Sequence, residues 1–435
     1  MAASPTPHAF DLPTVVAWLA DARQRTLSLV EDLSDEQLVV PRIPIVNPPL
    51  WEVGHVGWFQ ERWLSRHVFR LPPRRGNADA LYDSSRVAHD LRWELPLPDM
   101  GETLRDLSAG LTELLERLQR LEDEPPWYFL LLALFHEDMH GEAFAYTRQT
   151  LGYAAPAPAP APATAAPPAV ARIAGDVRIP GGRFRLGSPR EEPFVFDNEK
   201  WSHAVELSPF SIARTAVTQA EFLEFVEAKG YQRRELWSEA GWRWRSEAQA
   251  LHPVYWRREG RVWRRRHFDR WLDLEPDLPA LHVSWFEADA YCRWAGRRLP
   301  TEAEWELAAI GEPGAPPDAA RRFPWGDGPP TAERANLDGA SGGPVSVHAL
   351  PAGDSAFGCR QMVGNVWEWT QSDFAPYPGF AADPYEDYSK PWFGTHKVLR
   401  GGAWATRSRL IRPRYRNFYT PDRRDVLAGF RSCAR

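Results

Sequence analysis

Two histidines spaced four apart are the residues with the clearest capacity for chemistry. His136 and His140 lie in the stretch LLALFHEDMHGEAF, where an apolar run precedes them. Residues four apart share one face of a helix, so both imidazoles can reach a single ion. A third histidine, His55, lies in the similarly apolar stretch LWEVGHVGWFQERW. Facing helices of a bundle often build a metal site from such positions. Spacing alone equally allows a helix that simply carries two histidines.

The same stretch fits the H-E-x-x-H pattern of zinc peptidases. In that hypothesis Glu137 activates a zinc-bound water, and a third ligand lies downstream. The continuation GEAFAYTRQTLGYAAP contains no further histidine, and the longer metzincin pattern is absent. Glu142 is the one carboxylate in it, and it is too near on the same helix. The peptidase hypothesis therefore lacks its third ligand.

Three neutral histidines would leave coordination positions open for a substrate or for water. Zinc accepts such a set. Iron(II) accepts it too, as a relative of the two-histidine, one-carboxylate site of oxygen-using enzymes. Ligand type does not choose between the two metals. A zinc hydrolase and a metal-free binding module both stay open on the histidine pattern.

Four long amphipathic segments predict a helical bundle over residues 1–153. Each has apolar residues at spacings of three and four. They are LPTVVAWLADARQRTLSLVEDL, PPLWEVGHVGWFQERWLSRHVF, TLRDLSAGLTELLERLQRL and PPWYFLLLALFHEDMHGEAFAYTRQTL. No strand-like alternation occurs before residue 150. The histidine stretches fall on the second and fourth segments, so a four-helix bundle would carry all three imidazoles.

An alternation of Ala and Pro, AAPAPAPAPATAAPPAV, predicts a linker over residues 154–171. Such a sequence favours extended polyproline-like chain over helix or sheet. The remainder, residues 172–435, has short apolar runs between Gly, Pro and Trp residues, which predicts a mixed α+β domain. Two helices are expected in it, near TQAEFLEFVEAKG and SWFEADAYCRWAG. Thr218 can cap the first, and Gly230 follows it.

Composition excludes several functional classes. The chain has 435 residues, 43% of them apolar, and a net charge of −6. It lacks the basic stripe of a nucleic-acid binder. It also has no run of about 18 apolar residues that would predict a membrane span, and no signal peptide is evident. Three cysteines without a CxxC pattern suit a reducing cytoplasm. We expect a cytoplasmic monomer that binds neither nucleic acid nor membrane.

Two groups of motifs carry a family resemblance. GHVGWFQERWL followed by HEDMH resembles the DinB-like bundle at the N-terminus of ergothioneine-biosynthetic sulfoxide synthases. The second domain resembles the formylglycine-generating-enzyme, C-type-lectin-like module. The motifs of that likeness are FDNEKWSHAVELSPFSIARTAVTQAEFLEF, RLPTEAEWELAA, GNVWEWT, VLRGGAW and AGFR. Their tryptophans and glycines are typical of core and turns. The order of the two modules, with three histidines in the first, is the stronger signal.

The resemblance implies a reaction and a metal. In the family, three histidines hold iron(II), and by position these match His55, His136 and His140. The iron(II) centre uses O2 to join a chalcogen donor to the imidazole carbon of hercynine, which is Nα-trimethylhistidine. Held on one ion, the two substrates would couple in an effectively intramolecular step.

The resemblance also implies roles for residues of the second domain. Tyr385, in DPYEDYS, matches a tyrosine that supplies a proton or hydrogen bond to oxygen at the iron. Asn417, in RYRNFYTPDRRD, matches a residue at the trimethylammonium end of hercynine. Phe418 beside it could offer its ring to that cation, an attraction of roughly 0.5–2 kcal/mol.

Several positions depart from the enzymes that use γ-glutamylcysteine. His89 stands where those enzymes have an arginine, although Arg92 is kept. Tyr419 replaces an aspartate that would hold an α-amino group, although Arg423 is kept. Met139 replaces a glutamine between the paired histidines.

These departures predict a less charged donor. Losing an arginine and an aspartate removes the groups that pair with an amino-acid zwitterion, and an unpaired zwitterion is costly to bury. The pattern is similar to the selenoneine synthase branch, which takes a selenosugar and forms a C–Se bond to hercynine. A sulfoxide synthase with a thiol donor is the alternative. A zinc hydrolase and a lectin-like binding module are more distant ones.

Overall fold

The computed structural model describes residues 10–156, 171–314 and 320–435. It divides into two compact units. Among the described residues, the first unit contains those up to 147 together with 191–194, and the second contains those of 148–190 and 195–435. Most of the predicted Ala/Pro linker, residues 157–170, lies outside the described residues.

The first unit is the predicted helical bundle. Its helices are α1 (Leu12–Ser28), α2 (Asp35–Val39), α3 (Pro49–Gln60), α4 (Ala78–Tyr82), α5 (Met100–Gln119) and α6 (Trp127–Leu151), and a π-helical segment, Glu61–Val68, continues α3. The four long helices α1, α3, α5 and α6 coincide with the four amphipathic segments. No strand occurs in the described part of the chain before residue 150.

Local capping sets where these helices begin. The Asp11 side chain accepts a hydrogen bond from the Thr14 amide before α1, and Asp99 does the same for Glu102 before α5. Such bonds satisfy amide groups that have no partner inside the helix. Apolar side chains of the bundle then pack into one core, formed by Leu29, Val30, Leu38, Val53, Leu107 and Phe144.

A buried arginine ties the four long helices together. Arg23, on α1, donates to the Glu137 carboxylate on α6 at 2.8 Å. It also donates to the Gln60 side chain on α3 at 2.7 Å and to the Leu107 carbonyl on α5 at 2.9 Å. Thr26 adds a hydrogen bond to Glu137 at 3.0 Å. Because both charges are buried, removing either partner would leave the other uncompensated and would be strongly destabilising.

The second unit is the predicted α+β domain. Its helices are α7 (Gln219–Glu227), α8 (Glu239–Glu247), α9 (Trp285–Trp294) and α10 (Glu302–Ile310). The strands are β1 (Asp176–Ile179), β2 (Gly182–Leu186), β3 (His203–Leu207), β4 (Phe210–Ala213), β5 (Trp256–Glu259), β6 (Val262–His267), β7 (Arg270–Asp273), β8 (Arg297–Arg298), β9 (Trp367–Asp373), β10 (Lys397–Arg400), β11 (Asn417–Tyr419), β12 (Ala428–Gly429) and β13 (Cys433–Ala434). They form sheets in the orders β1-β4-β13-β8, β11-β10-β9-β12, β2-β3 and β5-β6-β7.

The helices α7 and α9 confirm the two that the sequence predicts, whereas α8 and α10 were not predicted. The helix α7 has nine residues, as the two missed helices do, but α8 has its two tryptophans two residues apart and α10 is buried on all sides, so neither of the missed helices shows an apolar stripe at helical spacing. Their caps were visible, however. Thr301 and Glu304 form a capping box at the start of α10, and Ser238 caps α8. Cap chemistry was therefore the signal that could have found both.

The tryptophan motif GNVWEWT is structural. Trp367 and Trp369 are at most 1% exposed. Glu368 between them accepts from Arg431 at 2.6 Å and from the Trp305 indole at 2.7 Å. Gly364 has a positive φ of 81°, and a Cβ there would come within 2.5 Å of the Asn336 carbonyl oxygen. Only glycine fits such a turn.

Two further expectations from the sequence concern the cysteines and membrane-spanning helices. Cys292, Cys359 and Cys433 are buried free thiols, and burial raises the pKa of each. None of the described helices combines the length and apolarity needed to cross a lipid bilayer.

Candidate metal centre and substrate-binding residues

Helices α3 and α6 bring the three histidines together. His55 comes from α3, and His136 and His140 come from α6. One ligand atom from each lies within 4.8 Å of the others, and among the described residues this is the one such group of three metal-binding side chains. His55 is 3% exposed and His136 is 5% exposed. Met139, directly before His140, is half-buried.

Hydrogen bonds determine which ring nitrogen of His55 and of His140 stays free to bind a metal. The Nδ1 atom of His55 lies 2.7 Å from the Tyr82 carbonyl oxygen, to which it donates. The Nδ1 atom of His140 lies 2.6 Å from Glu52 Oε1 and donates to that carboxylate. Each bond assigns the proton to Nδ1 and leaves the Nε2 lone pair for a ligand.

Burial keeps two of the three imidazoles, those of His55 and His136, in the neutral form that binds metals. Desolvation lowers the pKa of His55 and of His136 well below the usual value, and repulsion from the neighbouring histidines adds to the effect. His55 stacks on Trp51 with ring centroids 4.8 Å apart, and His136 stacks on Phe59 at 3.5 Å. Neutral, rigidly packed imidazoles form a donor set that fits a divalent transition metal.

The glutamate of the H-E-x-x-H pattern is engaged elsewhere. Glu137 is 3% exposed, and its two carboxylate oxygens accept from Arg23 and Thr26. A peptidase base must be free to take a proton from a metal-bound water. The structural role of this carboxylate removes the residue that the peptidase hypothesis requires.

Glu52 is the carboxylate at this site that the sequence analysis missed. It is 1% exposed and lies on α3, three residues before His55. Positions three apart share a helix face, so a glutamate within an apolar helix and just ahead of a histidine was the available signal. Its partner His140 comes from another helix, and spacing along α3 does not reveal that.

Two predicted donor-binding residues lie in the first unit, and one of them, Arg92, packs on the tryptophan that stacks on His55. The Arg92 guanidinium stacks over the Trp51 ring at 3.9 Å and donates to the Asn47 side chain at 2.6 Å. Burial lowers the pKa of Arg92 to about 10, so it stays cationic at neutral pH. The Nε2 atom of His89 donates to the Val46 carbonyl at 2.9 Å.

Tyr385 and Asn417 lie in the second unit. Tyr385 is half-buried at the start of a short 3-10 turn, Glu386–Tyr388, and its ring centroid is 6.1 Å from that of Tyr388. Asn417 begins β11 and pairs with Leu399 of β10. Its side-chain oxygen accepts from the Phe418 amide at 2.8 Å.

The remaining predicted residues follow Asn417 along the chain. Successive strand residues face opposite sides, so Phe418 points away from Asn417 and Tyr419. The Phe418 ring stacks on Phe374 with centroids 4.0 Å apart.

The Tyr419 ring lies beneath the guanidinium of Arg423, and that guanidinium is already paired with a carboxylate. The Arg423 guanidinium is 5.1 Å from the Tyr419 ring centroid. It forms a two-pronged ion pair with Asp425, at 2.7 and 2.6 Å. Asp425 was not foreseen as its partner, although it lies only two residues away in the sequence.

Comparison with known proteins agrees with the division of the chain. A DinB superfamily model matches residues 19–144, and a model described as a sulfatase-modifying factor enzyme 1-like domain matches residues 162–435. The protein thus joins a DinB-type helical bundle with a buried three-histidine cluster to a sulfatase-modifying-factor-like domain.

Similar proteins exist over nearly the full length. A hercynine oxygenase of Mycolicibacterium thermoresistibile is 39% identical over 95% of this chain and 93% of its own. The hercynine oxygenase of Mycobacterium tuberculosis is 39% identical over 95% and 96%. A formylglycine-generating enzyme of Streptomyces coelicolor is 36% identical, over 60% of this chain and 88% of its own. The chain belongs to the family of the hercynine oxygenases.

Proposed function

We propose that this protein is an iron(II)- and O2-dependent oxygenase that joins a chalcogen donor to the imidazole carbon of hercynine. The convergence of three imidazoles, two of them buried and one half-buried, carries the proposal. Full-length similarity to relatives named hercynine oxygenase supports the substrate.

The three histidines are proposed to hold the metal. Iron(II), when bound, supplies electrons for the reduction of O2, a chemistry that zinc lacks. His55 and His140 are held by hydrogen bonds at Nδ1, so their orientation does not depend on the metal. Trp51 and Phe59 cover two of the rings and exclude water from that side.

Hercynine has a permanent trimethylammonium cation, which Asn417 is proposed to recognise through its side-chain oxygen. Phe418 is a weaker candidate for the cation, because one face of its ring is already stacked on Phe374. Tyr385 is proposed to hold or transfer a proton at its phenol oxygen during coupling.

The donor is proposed to be a selenosugar, so that the product carries a C–Se bond. Arg92 and Arg423, the two arginines kept from the γ-glutamylcysteine pattern, are engaged by Asn47 and Asp425. An arginine already in a two-pronged pair offers little to a donor carboxylate. Hydroxyl groups of a sugar could instead bond to Tyr419 and His89.

A thiol donor is the second candidate, and the presence of both guanidinium groups favours it. Arg92 has an amide partner, and an incoming carboxylate is a stronger acceptor than an amide. If γ-glutamylcysteine displaced Asn47 from Arg92, the product would be a hercynine sulfoxide.

The test is a donor panel. Anaerobic protein is loaded with iron(II) and hercynine, each selenol or thiol donor is added, O2 is admitted, and products are identified by mass. We expect coupled product from the selenosugar and little from γ-glutamylcysteine. The reverse preference would select the thiol reaction. No consumption of hercynine with any donor, or peptide cleavage by zinc-loaded protein, would refute the oxygenase.

A further inference from the structure

We propose that Glu52 is the positioning residue of the metal centre, and that its hydrogen bond to Nδ1 fixes the orientation in which His140 presents Nε2 to a metal. The proposal rests on the three-histidine metal site of the proposed function. It concerns metal binding and not turnover.

The burial of Glu52 is the first observation. The side chain is 1% exposed, and a buried carboxylate is retained only where its charge is matched. Its short contact is the one to His140 Nδ1, at 2.6 Å. The Asn47 amide lies farther away, 3.5 Å from Oε2. The short hydrogen bond to this carboxylate therefore comes from the His140 imidazole, while the nearby Arg92 cation attracts its charge.

The difference between two ligands is the second observation. The Nδ1 proton of His55 is held by a neutral carbonyl, that of Tyr82, whereas the Nδ1 proton of His140 is held by a carboxylate. A carboxylate behind an imidazole fixes the ring and makes the opposite nitrogen a stronger donor. His140 is also half-buried, unlike His55 and His136, so it has fewer packing contacts to fix its ring.

The placement of Glu52 on α3 is the third observation. The helix α3 contributes one ligand directly, His55, and holds a ligand of α6 through Glu52. The two positions are three residues apart and therefore share a face. A single helix thus sets the orientation of rings on both sides of the site.

Asn47 links this carboxylate to a predicted donor-binding residue. Its side-chain oxygen accepts from Arg92 at 2.6 Å, and its amide nitrogen faces Glu52. Arg92 also attracts Glu52 electrostatically. A change at Asn47 is therefore expected to affect metal binding only slightly, through the carboxylate it supports.

The experiment measures metal affinity and ligand field on metal-free full-length protein. Cobalt(II) is titrated while its visible absorption is recorded, and iron(II) competes for the site. We expect Glu52→Gln to weaken cobalt(II) binding by roughly 10-fold and Glu52→Ala by up to about 100-fold. Both should shift the cobalt(II) spectrum.

Glu137→Gln is the matched control. Glu137 is also a buried carboxylate of the first unit, but its partners are Arg23 and Thr26. This variant should lower the Tm of the bundle while the dissociation constant and spectrum of its folded form stay within about twofold of wild type. Equal losses of affinity in Glu52→Gln and Glu137→Gln would overturn the proposal.

A double-mutant cycle keeps the test decisive if Glu52→Ala folds poorly. In a His140→Ala background, Glu52→Gln should cause no additional loss of cobalt(II) affinity, because its effect passes through His140. An unchanged affinity and spectrum in Glu52→Gln alone, or a full additional loss in the double variant, would refute the role. If Glu52 behaves as expected but hercynine is not consumed, only the proposed function fails.

Discussion

The two units of the chain hold their predicted functional residues in different ways. In the first, His55, His136 and His140 lie on regular helices, and helical spacing determines which residues share a face. In the second, Tyr385 lies at a short turn and Asn417 on a strand of three residues. Elements that short have little order of their own. Helix geometry positions the first set, and side-chain bonds to distant segments must position the second.

The loop that contains Tyr385 shows how side-chain bonds to distant segments can position a residue. Before it, Asp383 accepts from Lys200 at 2.6 Å. After it, Ser389 bonds to Asp197 and accepts from the Asn198 amide at 2.9 Å. Both anchors come from the segment DNEK, which is more than 180 residues away in sequence.

The largest expected effect is the loss of a helix-borne ligand. We expect His140→Ala to remove most of the bound metal while the second unit stays folded, because its core does not include this residue. Metal content by mass spectrometry and a thermal scan measure both. The matched control is His252→Ala, a half-buried histidine of the second unit, which should keep its metal. Full metal content and full turnover in His140→Ala would contradict the site.

Next in size is the loss of the phenol oxygen in the second unit. Tyr385→Phe should retain metal yet reduce coupling by about 10²–10⁴-fold, the usual contribution of a positioned proton donor. Oxygen consumption compared with coupled product measures the loss and any diversion to oxidation of the donor alone. Tyr377→Phe, which removes the hydroxyl of a buried tyrosine in the same unit, is the control. Unchanged yield and product distribution in Tyr385→Phe would exclude the tyrosine from the reaction.

A smaller effect is expected when the tyrosine stays and its loop loses an anchor. Ser389→Ala removes the hydroxyl that links the loop to Asp197 and Asn198. We expect a several-fold decrease in product formed per O2 consumed, with metal affinity unchanged, because a misplaced group lowers efficiency without removing chemistry. Product-to-oxygen ratios under saturating substrate measure this. A loss of metal in Ser389→Ala would instead show that the side-chain bonds of the second unit also affect the histidines of the first.

The same contrast explains how much could be predicted from the sequence. Periodicity predicted the four long helices and placed the three histidines on two of them. It did not reveal three side-chain pairs in and around the predicted sites. These are Glu52 with His140, Arg23 with Glu137, and Asp425 with Arg423. The first two pairs depend on which segments meet in three dimensions, and one sequence does not encode that as spacing. Arg423 and Asp425 are two residues apart, so that pair was open to prediction. The short helices α8 and α10 were missed because neither shows an apolar stripe at helical spacing.

Arg23, the arginine that joins the four long helices, affects what a mutagenesis screen for metal binding would recover. Its carboxylate partner, Glu137, lies directly beside one proposed ligand, and loss of the Arg23 ion pair would lower the fraction of folded bundle that can hold a metal. A random-mutagenesis screen scored only by metal content would therefore recover Arg23 and Thr26 together with the proposed ligands. Growth temperature would separate the two classes, since a cooler culture restores a loosened bundle but cannot replace a missing imidazole.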